Sequence, residues 1–465
     1  METLPTASLT RREWAMVLAI AAVALALRIA MGQGALWLDE AWSAMHARDA
    51  ATPIGVFLGI NHDNNHHLNS LWMQMVGIDA PPVVQRGLAI VTGTATVIVA
   101  AVLGRRDSWP TALTAAAIFA VSPFFAHYGS EARGYAPMML ALLMVLLRTQ
   151  AWLDGAPRPT TGLALWGLIG MLSQLTMAVA LVAVAGWAFL ELVRRESVRS
   201  ALFETTRTFA PAAIACAMTL GGILLAAKIN SGEMRFGAYV PYTGRDQIRA
   251  LLSITGYTIA VPRGAFWPAI LLMVILAFAT VRRGPRIGFY WLALIAFPLA
   301  VAILQPGNPG HARYYSLMAV AIALMLSDVT GALIAAGGWR RLTALAGLVV
   351  LIGTSLFEDA RLIRNQRGDP GRAITAMQRV APDGTSILVD RRSAVPVVAA
   401  ASLVNHYPLR ITRQDCSGAP FLFIDRYDDE TFPDRERRCG RTYVPYATLH
   451  AVGMTNFHWR LYRLR

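Results

Sequence analysis

Apolar runs of roughly 20 residues recur along the first three-quarters of this chain, and the gaps between them carry arginine. A helix rises about 1.5 Å per residue, so each run can cross the ~30 Å hydrocarbon core of a bilayer while satisfying its own backbone hydrogen bonds. With 55% of its 465 residues hydrophobic and only 15% charged, the chain is too apolar for a water-soluble fold. It reads as an integral membrane protein. The first run, residues 14–31, is long for a signal peptide, contains Arg28 and shows no small-residue cleavage site before Leu36, so a retained helix is expected.

A net charge of +14 would point a soluble chain toward nucleic acid. Here the arginines instead fall in alternate gaps: Arg11 and Arg12, Arg105 and Arg106, Arg158, then Arg194, Arg195 and Arg199, then Arg282, Arg283 and Arg286, and finally Arg340 and Arg341. That is the positive-inside pattern, and no nucleic-acid partner is implied. Spans are expected at about 14–32, 87–104, 110–127, 136–153, two within 161–194, 208–227, 266–281, 287–304, 314–335 and 342–357. The expected fold is therefore an α-helical polytopic membrane protein with about 11 transmembrane helices, N-terminus in and C-terminus out, and a small C-terminal α/β extracytoplasmic domain. In this division residues 1–357 are the membrane unit, with a long first outer loop at about 33–84, and residues 358–465 are the outer domain. No internal repeat of the secondary-transporter kind stands out.

In the outer part, the short apolar runs TSILVD and PFLFID flank a helix-like stretch at 395–405, the pattern of a small α/β unit. Cys416 and Cys439 both lie there, whereas Cys216 is inside the seventh helix. An oxidising compartment would let the first two pair, closing a loop worth about 3 kcal/mol; two free thiols are the alternative.

Polar groups gather on the outer side. LWLDEAWS (36–43) places Asp39 and Glu40 just past the first helix, and NHDNNHHLNS (61–70) adds His62, Asp63, His66 and His67. The turn after the third helix holds His127, Tyr128, Glu131, Arg133 and Tyr135; the turn after the ninth holds His311, Arg313, Tyr314 and Tyr315. A solvated loop explains any one of these, and Arg133 could be a snorkelling interface anchor. Convergence on one face, next to hydrocarbon where unpaired charge is costly, favours a site. For Arg28, a buried protein partner and a lipid phosphate are both open.

A carboxylate beside such a cavity can take the proton of an acceptor hydroxyl, which makes Asp39 a general-base candidate. Arginines nearby can hold a phosphate and stabilise charge on a leaving group. One base with cationic clamps fits displacement of a lipid phosphate better than the paired carboxylates of glycoside hydrolysis. His62, His66 and His67, with Asp63 or Glu40, also have the ligand types for a divalent metal, although Asn64 and Asn65 argue against a regular helix there. The remaining chemistry requires no cofactor.

Taken together, LWLDEAWS, the histidine stretch at 61–70, QRGLAIVTG opening the second helix, SPFFAHYGSEARGYAP after the third, HARYYSLM opening the tenth and the final HWRLYRLR resemble the GT-C superfamily of polytopic glycosyltransferases. The resemblance is to the branch related to protein O-mannosyltransferases, the lipid A aminoarabinose transferase and the rhizobial lipid A galacturonosyltransferases. The resemblance implies Asp39 as base with Glu40 in support, and a sugar donor carried on polyprenyl phosphate in the outer leaflet. It implies inversion at the anomeric carbon, with Arg133 and Tyr135 bordering the lipid-phosphate cavity and Arg313 and Tyr314 reaching it from the tenth helix. Glu131, His66 and His67 are further substrate-binding candidates. The chain departs from the family at His66, His67 and Leu68, where His-Pro-Pro is common, and at Gln174, where a histidine is common; both departures bear on acceptor and metal. The expected function is an inverting glycosyltransferase acting on a glycan, lipid or protein acceptor. The alternative is a transporter or flippase of lipid-linked sugars, which would need charges near the midplane. An arginine-rich, lysine-poor, alanine-rich composition suggests a high-GC bacterium, hence the inner membrane with the site facing the periplasm.

Overall fold

The structure, a computed structural model, describes residues 9–62, 66–233, 239–261, 284–428 and 430–465. Helix α1 (Arg11–Met31) begins in a capping box: the Thr10 hydroxyl accepts from the Glu13 amide at 3.2 Å, and the Glu13 carboxylate accepts from the Thr10 amide at 2.8 Å. The first outer loop is itself helical, as α2 (Leu38–Asp49), α3 (Pro53–Leu58), α4 (His67–Val76) and α5 (Pro82–Gln85). Helices α6 (Gly87–Arg105), α7 (Trp109–Val121), α8 (Pro123–Tyr128), α9 (Tyr135–Leu153), α10 (Thr160–Ser173), α11 (Met177–Val193) and α12 (Val198–Ser231) follow. Then come α13 (Gly244–Ile259), α14 (Ile287–Leu304), a 3₁₀ turn at Ala312–Tyr315, α15 (Ser316–Ala336) and α16 (Gly338–Asn365). Among the described residues seven helices are long and apolar enough to cross a membrane, and α7, α10 and α11 are shorter apolar helices. The span expected at 266–281 lies outside the described residues.

Two departures from the expected layout have local causes. The outer loop after α12 contains α13, capped by Thr243 on the Asp246 amide; its buried Gln247, Ala250, Ile254 and Thr258 follow helical spacing on one face, too amphipathic to register as a span. The single third helix expected at 110–127 is broken into α7 and α8. Pro123 has no N–H, so the Phe119 carbonyl loses its helical partner. Arg28 supplies the donors instead, from Nη2 to Phe119 at 3.0 Å and from Nη1 to Ala120 at 3.3 Å and Ala24 at 3.0 Å. Arg28 is wholly buried, so of its two readings the buried protein partner holds.

Helix α16 continues past the expected end near 357 to Asn365. The outer domain then forms α17 (Gly371–Gln378), β1 (Thr385–Val389), α18 (Ala394–Val404), β2 (Leu409–Thr412), β3 (Phe421–Arg426), β4 (Glu436–Arg438), β5 (Arg441–Leu449) and β6 (His458–Leu464). TSILVD and PFLFID supply β1 and β3. The sheet order is β2-β1-β3-β6-β5-β4, parallel from β2 to β3 and antiparallel beyond. A disulfide joins Cys416 to Cys439 with their Cα atoms 5.3 Å apart. One apolar cluster unites Ala41, Ala44 and Ala47 of α2 with Val397, Val398 and Ala401 of α18 and Phe421 and Phe423 of β3. Helix α2 thus belongs by packing to the outer domain and by sequence to the membrane unit.

At the opposite end of the bundle, several of the arginines expected as inside charges are paired. Arg105 meets Glu13 at 3.2 Å, Arg106 meets Asp154 at 2.6 Å, and Arg158 meets Glu204. Arg286, with 1% of its side chain exposed, bridges Asp328 at 2.5 Å, Gln150 at 2.7 Å and Asp107, tying α14, α15, α9 and the α6–α7 turn together. Removing one partner of a buried pair leaves an uncompensated charge. Arg286→Ala is therefore expected to cost about 3–5 kcal/mol, read as a lowered unfolding midpoint in detergent. Arg158→Ala, at a partly exposed pair, should cost no more than about 1 kcal/mol.

Candidate active site beneath the outer domain

Asp39 and Glu40 are neighbours in the first turn of α2, and adjacent helical residues project in different directions. Glu40 turns inward and is fully buried. Its Oε1 accepts from Arg86 Nε at 2.8 Å and from the Ala132 amide at 2.6 Å, and its Oε2 from Arg86 Nη2 at 2.5 Å. Arg86 in turn donates to the carbonyls of Gly32 at 2.7 Å, Gly34 at 2.5 Å and Ala35 at 3.3 Å. Burial would raise the Glu40 carboxyl, but Arg86 outweighs it and keeps the group below its ordinary range. The two carboxylates of the pair thus differ in surroundings: Glu40 is an internal anchor, and Asp39 keeps part of its side chain open.

Two guanidiniums converge on one oxygen of Asp39. Arg133, in the turn between α8 and α9, reaches Oδ2 through Nη1, and Arg313, in the 3₁₀ turn before α15, reaches the same oxygen at 2.7 Å. Each is backed by an aromatic ring, Arg133 over Tyr135 at 5.4 Å and Arg313 over Tyr314 at 5.7 Å. Burial alone would raise the Asp39 carboxyl; Arg313 and then Arg133 reverse the sign and hold it below its usual value. The Asp39 side chain keeps 19% of its surface open. Arg313 also lines a polar cavity with Tyr128, Ser253 and His311 from the membrane unit and Met454 and Asn456 from the outer domain.

The remaining candidates go different ways. His66 is buried, with Nδ1 2.9 Å from the Ser173 carbonyl and Nε2 facing Arg133 at 2.9 and 2.8 Å. Burial and then the Arg133 charge push its ring well below the ordinary histidine range, so it is neutral. His67 stacks on Phe57 at 5.1 Å, and His62 packs with Trp42 and His46. Glu131 is buried against His127, Oε2 to Nε2 at 3.2 Å. The three histidines of the 61–70 stretch thus face three different surroundings, and both ring nitrogens of His66 are engaged by protein. Asp63 lies outside the described residues. Among the described residues no group of three His, Cys, Asp or Glu side chains is placed to hold a metal ion.

The turn at 129–134, read from sequence as an outer-face turn, is entirely buried, and its polar groups must find partners inside the protein. Glu40 takes the Ala132 amide, Asn69 donates to the Ala132 carbonyl at 2.7 Å, and Arg367 donates to the His127 carbonyl and the Ser130 hydroxyl, each at 2.7 Å. Arg86, Arg367 and Asn69 were not among the sequence candidates. A charge at the mouth of a long apolar run was the available signal for Arg86.

Burial lowers His67 from 6.5 to about 4 in the folded protein. The unfolded chain therefore binds more protons below pH 6.5, and stability falls as pH drops from 6.5 toward 4, by about 3 kcal/mol for this residue. His66, shifted in the same direction, adds to the slope. Unfolding midpoints measured across this window should decline with acid, and His67→Leu should flatten the decline.

No protein-family profile matches the sequence, and no curated protein matches it. Solved structures do. ArnT from Cupriavidus metallidurans in the apo state aligns with a TM-score of 0.55 at 12% identity, over 96% of this chain and 98% of that one. ArnT from the same organism bound to undecaprenyl phosphate gives 0.50 at 11% identity, over 97% and 98%. The oligosaccharyltransferase AglB from Archaeoglobus fulgidus, in complex with an inhibitory peptide and a dolichol-phosphate, gives 0.50 at 13% identity, over 89% and 69%. The fold implied by the GT-C resemblance is the fold observed: this chain is a polytopic, multi-pass membrane protein with a C-terminal sheet domain, built on the ArnT architecture from end to end.

Proposed function

We propose that this protein is an inverting glycosyltransferase that moves a sugar from a polyprenyl-phosphate donor to a hydroxyl of a glycan, lipid or protein acceptor. The observation that carries the reading is the convergence of Arg133 and Arg313 on one oxygen of Asp39, at the end of the bundle opposite the paired arginines. Asp39 takes the proton of the acceptor hydroxyl, the hydroxyl oxygen forms a bond to the anomeric carbon, and the bond from that carbon to the phosphate oxygen breaks. The polyprenyl phosphate leaves with the electron pair, and the two guanidiniums stabilise its charge. One displacement inverts the anomeric centre. Tyr135 and Tyr314 flank the phosphate through the arginines they back. Support comes from the shared fold with ArnT, a structure of which holds undecaprenyl phosphate, and with AglB, captured with a dolichol-phosphate.

On this reading residues 1–357 form the catalytic membrane unit and residues 358–465 shape access for the acceptor. The protein sits in the bacterial inner membrane with Asp39 facing the periplasm, where an oxidising compartment sustains the Cys416–Cys439 bond.

The test follows polyprenyl phosphate release by purified protein from a panel of polyprenyl-phosphate sugars. Asp39→Asn should retain its fold and lose at least about 100-fold in transfer, the weight of a positioned general base. A variant keeping most of the wild-type rate would remove the assignment. Movement of the donor across vesicles in the absence of acceptor and without release would replace transfer by transport.

A further inference from the structure

We infer that His66 is a positioning residue for the donor-phosphate clamp, acting only through Arg133. The inference rests on the reading of Arg133 as a phosphate ligand. A guanidinium has donors and no acceptor, so the His66 Nε2 that faces Arg133 Nε and Nη2 must offer its lone pair. The ring proton then sits on Nδ1, where it donates to the Ser173 carbonyl at 2.9 Å. Ser173 is the last residue of α10, and carbonyls in the final turn of a helix have no partner within it. The break between α10 and α11 thus supplies a fixed acceptor, the acceptor sets the tautomer, and the tautomer sets the direction of the lone pair that Arg133 meets.

The backbone is shaped around this relay. A Cβ on Gly134, the residue after Arg133, would lie 1.7 Å from the Ser173 carbonyl oxygen and 3.0 Å from His66 Nδ1. Only glycine lets the Arg133 turn close on the end of α10. With Nε and Nη2 directed at His66, Nη1 is presented to Asp39. Of the five N–H donors of a guanidinium, two on the terminal nitrogens remain for a phosphate oxygen. His66 is 2% exposed and Arg133 4%, so water does not compete for the contact.

The experiment measures binding of undecaprenyl phosphate to the full-length protein in detergent, together with unfolding midpoints. Asparagine places its amide where the histidine Nδ1 stands but does not reach Arg133; glutamine reaches the Nε2 position with an acceptor oxygen. His66→Asn should weaken binding about tenfold, the weight of one hydrogen bond to a charged group, and His66→Gln should recover most of it. In an Arg133→Ala background His66→Asn should have no further effect on binding. Equal binding by the asparagine and glutamine variants, whether weak or tight, or an additive loss in the Arg133→Ala background, would overturn the positioning role while leaving the proposed function standing. Wild-type binding by Arg133→Ala alone would remove Arg133 from the clamp, and the inference with it. A zinc content that tracks His66 across these variants would make the ring a metal ligand instead.

Discussion

A carboxylate with no exposed surface remains ionised only where cations and donors replace its water, and Glu40 meets that condition through Arg86 and the Ala132 amide. The outer end of the molecule depends on this pair. Arg86 binds the carbonyls of the chain leaving α1, Glu40 holds the start of α2, and the Ala132 amide brings in the turn that carries Arg133. Three stretches remote in sequence, at residues 32–40, 86 and 132, meet at one buried charge pair, and Asp39 is placed because it adjoins Glu40. The acidic doublet divides its labour: one carboxylate is invested in position, and the other is left partly open beside Arg133 and Arg313.

What Asp39 can do there follows from its partners. Two guanidiniums on one oxygen make it a weak base in the resting protein. On the proposed reading, a donor phosphate binds the same two cations, and its negative charge offsets part of their hold on Asp39. Proton affinity at Asp39 then rises only when a leaving group is in place, so an acceptor hydroxyl is activated beside a donor and not beside an empty cavity. The aromatic rings behind Arg133 and Arg313 hold both guanidiniums at the mouth during this exchange.

Hydropathy and the spacing of arginine made most of the spans legible, because a bilayer demands long apolar helices and tolerates charge at their ends. Elements shorter than a bilayer or amphipathic along one face were not visible that way: α2 to α5 read as loop because they are too short to span, and α13 because its buried residues cover one face. The α7–α8 break was legible in retrospect at Pro123, whose missing N–H needs a remote donor such as Arg28. In the site, Asp39 and Arg133 were legible as charges beside hydrocarbon, and Arg313 through the family resemblance. The directions of Glu40 and of the histidines at 62, 66 and 67 were not, since type and spacing do not say which wall a side chain faces. The Ser173 carbonyl, a backbone group, leaves no mark in residue identity at all.

The packing of α2 joins the membrane unit to the sheet domain. A short helix at the mouth of a bundle has little apolar surface against its own bundle with which to fix a side chain. Here its alanine face, Ala41, Ala44 and Ala47, lies on α18 and the inner face of β3, and small side chains allow that close approach. The opposite side of the helix start is tied to the bundle through Glu40 and Arg86. Asp39 therefore sits at the seam, held from below by charge and from above by apolar contact. Through α2 the sheet domain is thus joined by packing to Asp39 and to the two arginines that share its oxygen.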